Sequence, residues 1–226
     1  MTAPTDTAAR PDTHDMVVVH RVFRRELRLL PDLVRAVPSS DAARVGLVAD
    51  TADFVLNLLH HHHEGEDDLV WPLLHQRAPL HDDLVTTMEH QHQAVNGLLT
   101  TALTLVQDWR IAPDGPARAV LADTLDRLRT ALLEHLDLEE SRVLPLVEEH
   151  LSVAEWEAVG RNGAAGIPPQ QLTLALGLIL EDADAAETEA MLAGMPLEVR
   201  LMWRSTGHED YAAHVARLRA TTEPAA

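Results

Sequence analysis

The chain has 226 residues, of which 46% are hydrophobic, so it is long enough to bury a core, and a disordered polymer is not expected. It contains no cysteine, which excludes disulfides, iron–sulfur clusters and thiolate metal sites. Acidic residues outnumber Lys and Arg by 36 to 18, and this negative charge argues against nucleic acid and membrane surfaces as partners. Fourteen histidines, beside one tyrosine and two phenylalanines, are the unusual feature that needs an explanation.

No segment typical of export or membrane insertion is found in the sequence. Residues 1–12 lack the apolar core of a secretory signal, and the longest apolar run, residues 172–180, is too short to cross a bilayer. We therefore expect a soluble, cytoplasmic protein.

Helical periodicity runs through the chain, whereas the alternating pattern of a β-strand is nowhere sustained. The first predicted helix covers about residues 12–37, where Pro31 is expected to introduce a kink. The second covers about residues 41–73, with Asp41 as its N-cap and Pro72 bending its last turns.

Two further long helices follow. The third covers about residues 81–109 and is followed by the turn sequence 113–116, and the fourth carries an apolar stripe from Leu121 to Leu146. Four long amphipathic helices joined by short links predict an all-α fold, an up-down-up-down four-helix bundle.

The character of the sequence changes after Leu151. Residues 152–155 fit a capping box, which starts a shorter helix. Further helices are predicted at about 169–181, 184–193 and 197–220. We therefore expect the bundle to occupy residues 12–151 and an all-helical C-terminal extension to occupy residues 152–222.

The second and fourth predicted helices carry the same motif. His62 and Glu66 are four residues apart, and so are His135 and Glu139, at an offset of 73 residues. In both copies a proline follows the acidic residue after a short, equal interval. Side chains four residues apart on a helix lie one above the other on the same face, so each pair can contact one ion.

The first and third helices are repeated as well, with His20 matching His92 at an offset of 72 residues. The two halves of the bundle therefore correspond to one helical hairpin present twice. Each half contributes a lone histidine and a His–Glu pair. This arrangement predicts a site with pseudo-twofold symmetry in the middle of the bundle.

The histidines of these motifs lie on the apolar stripes of their helices, where the core is expected. A buried carboxylate without a partner is costly, and two that face each other are more so, but bound cations remove that cost. Four imidazoles and two carboxylates are too many for one tetrahedral zinc ion and suit a pair of first-row ions, with iron the leading candidate and manganese next. The predicted metal ligands are His20, His62, Glu66, His92, His135 and Glu139.

This order of motifs resembles the hemerythrin family, specifically its HHE cation-binding branch. The resemblance covers about residues 12–150 and includes the proline after each His–Glu pair. It implies a non-haem di-iron centre with two iron ions in a four-helix bundle, where Glu66 and Glu139 bridge the ions and the histidines complete the coordination. Roles in the family include oxygen transport, oxygen or redox sensing, iron handling and, in some bacterial members, peroxide decomposition.

One position departs from the pattern of the oxygen carriers. Carriers have a second histidine one turn after the ligand of the third helix, and this sequence has Asn96 there. Four matched histidines in place of five would leave coordination positions open, which favours peroxide chemistry or substrate oxidation over reversible oxygen carriage. His14 or His90 could supply the fifth imidazole if its helix is distorted, and Asn96 is a further candidate ligand.

The run from His60 to His63 contains more histidines than the motif needs. His62 keeps both the apolar stripe and the spacing of the repeat, so it is the predicted ligand. His60, His61 and His63 are expected to be solvated, or to lie beside the ligands at most. His63 with Asp67, also four residues apart, is the alternative pair if the helix face is misplaced.

The sequence thus predicts a di-iron protein that binds and redox-activates dioxygen or peroxide, with catalase-like or oxidase-type chemistry. The alternative is a non-enzymatic module that binds or senses oxygen or iron and signals through the C-terminal extension. Dioxygen or peroxide is the expected partner, nucleic acid and membranes are not expected, and a homo-oligomer remains open.

Overall fold

A computed structural model of the chain describes residues 9–220, and every regular element within that range is helical. The helices of the first part are α1 (His14–Ala36), α2 (Ala42–Leu69), α3 (Trp71–Arg77), α4 (Asp82–Ile111), α5 (Ala117–Leu138) and α6 (Leu144–His150). α1 packs on α2 and α5, and α4 packs on the same two helices, as an up-down-up-down bundle requires. The predicted all-α bundle is confirmed.

Local sequence signals explain where the bundle helices start and continue. Asp41 caps α2, because its carboxylate accepts a hydrogen bond from the backbone N–H of Arg44 (3.0 Å). Pro31 lies inside α1, and the helix continues beyond it to Ala36.

The two prolines of the repeat disturb their helices in different ways. A proline has no N–H to donate, and its ring clashes with the carbonyl group four residues earlier, so a regular helix through it is disfavoured. Before Pro72 the helix is interrupted at Val70, which separates α2 from α3. At Pro145 the helix instead widens into a π-helical turn, Glu139–Val143, before α6 begins. The sequence predicts the first disturbance but not the second.

The C-terminal extension is helical, as predicted. Ser152 caps its first helix with the expected capping box, in which Ser152 and Glu155 each accept a hydrogen bond from the other's backbone N–H. The last predicted helix is divided by a π-helical turn at Trp203–Gly207, and residues 221–222 lie outside the described range. The helices are α7 (Val153–Ala165), α8 (Leu172–Leu180), α9 (Ala185–Ala193), α10 (Leu197–Met202) and α11 (His208–Arg219).

These helices cover the outer surface of the bundle along α1 and α2. α7 and α11 pack on α2, while α8 and α9 pack on α1. Arg25 of α1 joins the two layers, because its buried guanidinium donates to the carbonyl of Leu178 (2.7 Å) and to the carboxylate of Asp182 (2.5 Å). Because α7 and α11 pack on the outer side of α2, this helix is buried on two sides rather than along one stripe.

Two apolar clusters fill the bundle and leave a polar layer between them. In α1, Met16 belongs to one cluster and Phe23 to the other, with His20 between them. α4 repeats this pattern around His92. Within residues 9–220, no helix combines the length and the apolar character needed to cross a membrane.

Candidate metal centre

The polar layer contains five imidazoles and two carboxylates, all largely excluded from solvent. They are contributed by different helices, so the site forms only when the bundle packs. The seven residues are His20 in α1, His62, His63 and Glu66 in α2, His92 in α4, His135 in α5, and Glu139 at the start of the π-helical turn. All six predicted ligands are among them, and His63 is the seventh.

The potential ligand atoms form two overlapping groups. In the first group, one atom each from His20, His62 and Glu66 lies within 4.8 Å of the others. In the second group, one atom from each of four residues also lies within 4.8 Å of the others. This group combines three imidazoles with the same carboxylate: His63, His92, His135 and Glu66. Because Glu66 belongs to both, the two groups are adjacent.

Glu66 lies between the two groups. Its Oε1 is 3.2 Å from His62 Nε2, and its Oε2 is 3.3 Å from His92 Nε2. The residue is 1% exposed, and neither oxygen has a hydrogen-bond partner among the described residues. A carboxylate in this position can bridge two cations.

Glu139 is the counterpart of Glu66 in the second half of the repeat. Its Oε2 is 3.4 Å from His20 Nε2 and 3.6 Å from His135 Nε2, so it also contacts one histidine of each group. The residue opens the π-helical turn that precedes Pro145. π-helical turns inside α-helices often occur at functional sites.

His63 lies deeper in the bundle than the sequence predicts. It is 4% exposed rather than solvated, and its ring stacks on that of His92 with a centroid distance of 4.1 Å. The ring of His135 is 5.0 Å away. His62 instead packs against the ring of Phe23 (5.1 Å). The adjacent imidazoles of α2 therefore belong to different groups, because this helix is buried on two sides.

The fifth imidazole of the layer thus comes from α2. The side chain of His14 is 54% exposed, His90 and Asn96 are exposed on α4, and none of the three belongs to either group. His60 and His61 also lie outside both groups. The expectation of open coordination positions assumed four imidazoles. Because the layer contains five, this reason for the expectation no longer holds.

Burial acts on the acids and bases of the layer in opposite directions. Burial, and then the nearby charge of Glu66, raises the pKa of Glu139 to about 8, and burial also raises the pKa of Glu66. Burial lowers the pKa of His62, His63 and His135, and the neighbouring histidines add to this effect. Neither carboxylate holds its negative charge easily in this layer, and bound cations would remove that cost.

Hydrogen bonds from outside the layer orient two of the histidines. His92 donates from Nδ1 to Asp67 (2.7 Å), and His20 donates from Nδ1 to Glu140 (2.9 Å). Both bonds leave Nε2 facing the carboxylates, as metal-binding histidines require. Although burial alone would lower the pKa of His92, its hydrogen bond to Asp67 and the nearby carboxylate of Glu66 raise that pKa to about 9.

The unpaired polar atoms of the layer fit a pair of cations. An unpaired buried polar atom costs roughly 1–3 kcal/mol, and most such atoms in proteins are paired. Nitrogen and oxygen donors of this kind suit first-row metals such as iron and manganese, and cations between them would satisfy several atoms together. Within residues 9–220, the layer atoms that lack a hydrogen-bond partner are Nε2 of His20 and His62, both ring nitrogens of His63, both oxygens of Glu66 and Oε2 of Glu139.

Asp67 is expected to control metal affinity through His92. Its carboxylate accepts hydrogen bonds from His92 Nδ1 (2.7 Å) and from Trp71 Nε1 (2.9 Å). We expect Asp67→Asn to weaken metal binding by about 10–100-fold, because a neutral amide orients the imidazole less firmly and makes it a weaker metal ligand. Asp68→Asn is the matched control, since Asp68 is the next residue and is exposed. Competition with a chelator measures both affinities, and an equal effect of the two substitutions would contradict this role.

A polar recess connects the protein surface with the second ligand group. It has a volume of about 460 Å³, and the buried residues His63 and His92 form part of its wall. The rest of the wall consists of His60, Glu64, Asp67, Glu89, Gln93 and Asn96. Because these side chains are polar, water and small polar solutes can approach the second group by this route.

The residues of the polar layer fall within a segment that matches a known protein family. Residues 12–147 match the family described as Hemerythrin HHE cation binding domain. Searches of curated proteins and of solved structures find no significant match. The resemblance noted in the sequence is therefore confirmed, over nearly the same range.

Proposed function

The chain belongs to the hemerythrin family of HHE cation-binding domains, and on that premise we propose that it is a non-haem di-iron protein that binds and redox-activates dioxygen or hydrogen peroxide. The observation that carries this proposal is the position of the two carboxylates. Glu66 and Glu139 each lie within 3.6 Å of one histidine from each ligand group. Carboxylates and histidines from facing helices form di-metal sites of this kind in other helical bundles.

The proposed ligand set divides between two ions. The first ion would take His20 and His62, and the second would take three imidazoles, with Glu66 and Glu139 shared between the ions. Manganese accepts the same donors and is the second candidate metal. The proposed ligands of the second ion are His63, His92 and His135.

The chain's own residues would hold and shield the metal. Bound iron would supply the redox chemistry for a small ligand. Asp67 and Glu140 fix two of the imidazoles from outside, and the apolar clusters above and below the layer leave the polar recess as the route for water. The protein therefore contributes position, orientation and a low-dielectric surrounding.

The polar recess favours peroxide as the reactant. Hydrogen peroxide donates and accepts hydrogen bonds, so it can form them with wall residues such as Glu64, Glu89 and Gln93 on its way to the second ligand group. Two molecules of hydrogen peroxide yield two of water and one of dioxygen, and this reaction needs no further reductant. A catalase-type activity is thus the simplest function that the recess and the ligand set support together.

A non-enzymatic role is the second candidate, and the contact between α2 and the extension favours it. His61, next to the ligand candidate His62, donates from Nε2 to the carbonyl of Asn162 in α7 (2.9 Å). Gly65 is also close, since a Cβ added there would lie 2.9 Å from Nδ2 of Asn162. A change of coordination on α2 would therefore reach the extension, as expected for a module that senses oxygen or iron.

Iron loading followed by peroxide addition distinguishes the two functions. After anaerobic loading we expect about two iron ions per chain, and then release of dioxygen when peroxide is added. A stable and reversible oxygen adduct without turnover would instead support the sensing module.

Variants make this experiment specific to the proposed centre. His62→Ala combined with His135→Ala should abolish iron binding and oxygen release, whereas His90→Ala, at an exposed position of α4, should change neither. Less than about one iron ion per wild-type chain, unchanged by the double substitution, would refute a di-iron centre of this composition.

A further inference from the structure

A second cavity lies between the bundle and the C-terminal extension. It has a volume of about 140 Å³, with α1 and α2 on one side and α7, α8 and α9 on the other. The ring of His62, from the first ligand group, forms part of its wall. The polar recess borders His63 instead, so the two spaces meet different imidazoles of α2.

The wall of this cavity is largely apolar. Two polar side chains that border it already have partners: Asp15 accepts a hydrogen bond from Trp156 Nε1 (3.1 Å), and His61 donates to the carbonyl of Asn162 (2.9 Å). The third, His62, belongs to the first ligand group. The apolar part of the wall includes Val19, Phe23, Leu58, Val159, Ile167 and Ile179.

The size of the cavity suits a single small ring. Enclosed apolar cavities of about 150 Å³ lined by Leu, Ile and Phe bind benzene, and this cavity has a similar volume, although it opens to solvent beside Asp15, Gly160 and Ala164. Small residues keep this one open, because Gly163 and Ala164 line it and a Cβ added at Gly163 would meet no atom within 4 Å. Met191 and Met195 also line it, and their flexible side chains can adapt to the shape of a guest.

We propose that this cavity is a binding site for a small, uncharged, apolar molecule, no larger than about a benzene ring, held against the ring of His62. The largely apolar wall favours this class of guest, since a strongly polar molecule would lose hydration there, while the side chains of Asp15 and His61 already have partners. The link between the guest and the metal rests on the proposed function, because it places an apolar substrate or inhibitor beside the first ligand group. Binding itself needs no metal.

Methyl NMR of the methionines tests the site directly. Met16, Met191 and Met195 line the cavity, whereas Met88 and Met202 do not. Titration of the metal-free full chain with benzene is expected to shift the first three methyl signals saturably and to leave the other two in place. No saturable shift, or equal shifts of all five signals, would overturn the proposal.

Filling the cavity should abolish this binding. We expect Gly163→Leu to weaken benzene binding by roughly tenfold or more, because the new side chain occupies the space of the guest. Gly97→Leu is the matched control, since an added Cβ on this exposed residue of α4 also meets no atom within 4 Å. Ala164→Leu is a second filling variant should the first not fold. Unchanged affinity in folded filled variants would overturn the proposal.

The metal-free titration separates this proposal from the proposed function. Benzene binding by a chain that takes up no iron would support the cavity and refute the di-iron centre, and iron uptake without benzene binding would do the reverse. In the iron-loaded chain, benzene is expected to alter the optical spectrum of the centre in the wild type but not in Gly163→Leu.

Discussion

The substitution His63→Leu is expected to remove one of the two metal ions of the proposed centre. His63→Leu deletes one of the three imidazoles of the second ligand group and leaves His20 and His62 of the first group in place. We expect the iron content after loading to fall from about two ions per chain to about one, with affinity for the second ion lowered by more than about 100-fold. Metal analysis and competition with a chelator measure the two quantities.

Leucine is chosen because the repeat itself contains the substitution. Leu136 occupies the equivalent position in the second half and is fully buried, so an apolar side chain of this size fits a bundle core. His60→Leu is the matched control, since His60 belongs to neither ligand group, and it should retain about two ions per chain. Two ions retained in His63→Leu would contradict the ligand assignment, and an equal loss in both variants would indicate a general disturbance of α2.

Removal of the metal is expected to make stability depend strongly on pH, with a maximum near pH 6.5. The pKa of Glu139 is raised from 4.5 to about 8, so between these values the folded chain keeps a proton that the unfolded chain releases. The free energy of unfolding therefore decreases as pH rises through this interval. The raised pKa of His92, about 9, acts in the same direction above pH 6.5. Each fully linked proton contributes about 1.4 kcal/mol per pH unit.

Below pH 6.5 the dependence reverses. The pKa values of His62, His63 and His135 are lowered by burial, so the unfolded chain binds protons that the folded chain does not. Stability from these groups is present above pH 6.5 and is lost as pH falls. The three imidazoles outnumber the two carboxylates that act in the opposite direction, so the free energy of unfolding decreases toward acid.

Urea unfolding of the metal-free and iron-loaded chains at acidic, neutral and alkaline pH checks this expectation. Bound cations displace protons from their ligands, so the stabilisation by iron should grow as pH rises. Glu139→Gln removes one titrating carboxyl group, and the metal-free variant should show a shallower decline above pH 6.5. The same pH dependence with and without iron would contradict the linkage of the layer to metal binding.

The sequence was sufficient to predict the bundle and six members of the polar layer, because two independent patterns agree. Helical periodicity identifies the buried faces, and the repeated hairpin identifies which polar residues lie on them. His20 and His92 illustrate this, since each is a lone histidine between apolar residues of its stripe. Either pattern alone would have left most of the fourteen histidines as equal candidates.

His63 was missed because the repeat has no counterpart for it and because the second buried face of α2 depends on tertiary packing. A signal was nevertheless present. Leu56, Leu59, His63 and Glu66 follow helical three-and-four spacing, so His63 lies on an apolar stripe of its own. The π-helical turn at Glu139 was missed for a different reason. The same proline motif interrupts the helix in one half and widens it in the other, so the motif alone does not predict which of the two occurs.

The single difference between positions 63 and 136 has a consequence for how such a centre could work. A hairpin duplicated without change would give two interchangeable metal positions. Histidine in one half and leucine in the other give the positions three and two nitrogen donors, and their surroundings differ in the same sense. The polar recess adjoins His63, and the apolar cavity adjoins His62. In the proposed centre, the two metal positions are therefore unequal, and each adjoins a space suited to a different kind of molecule.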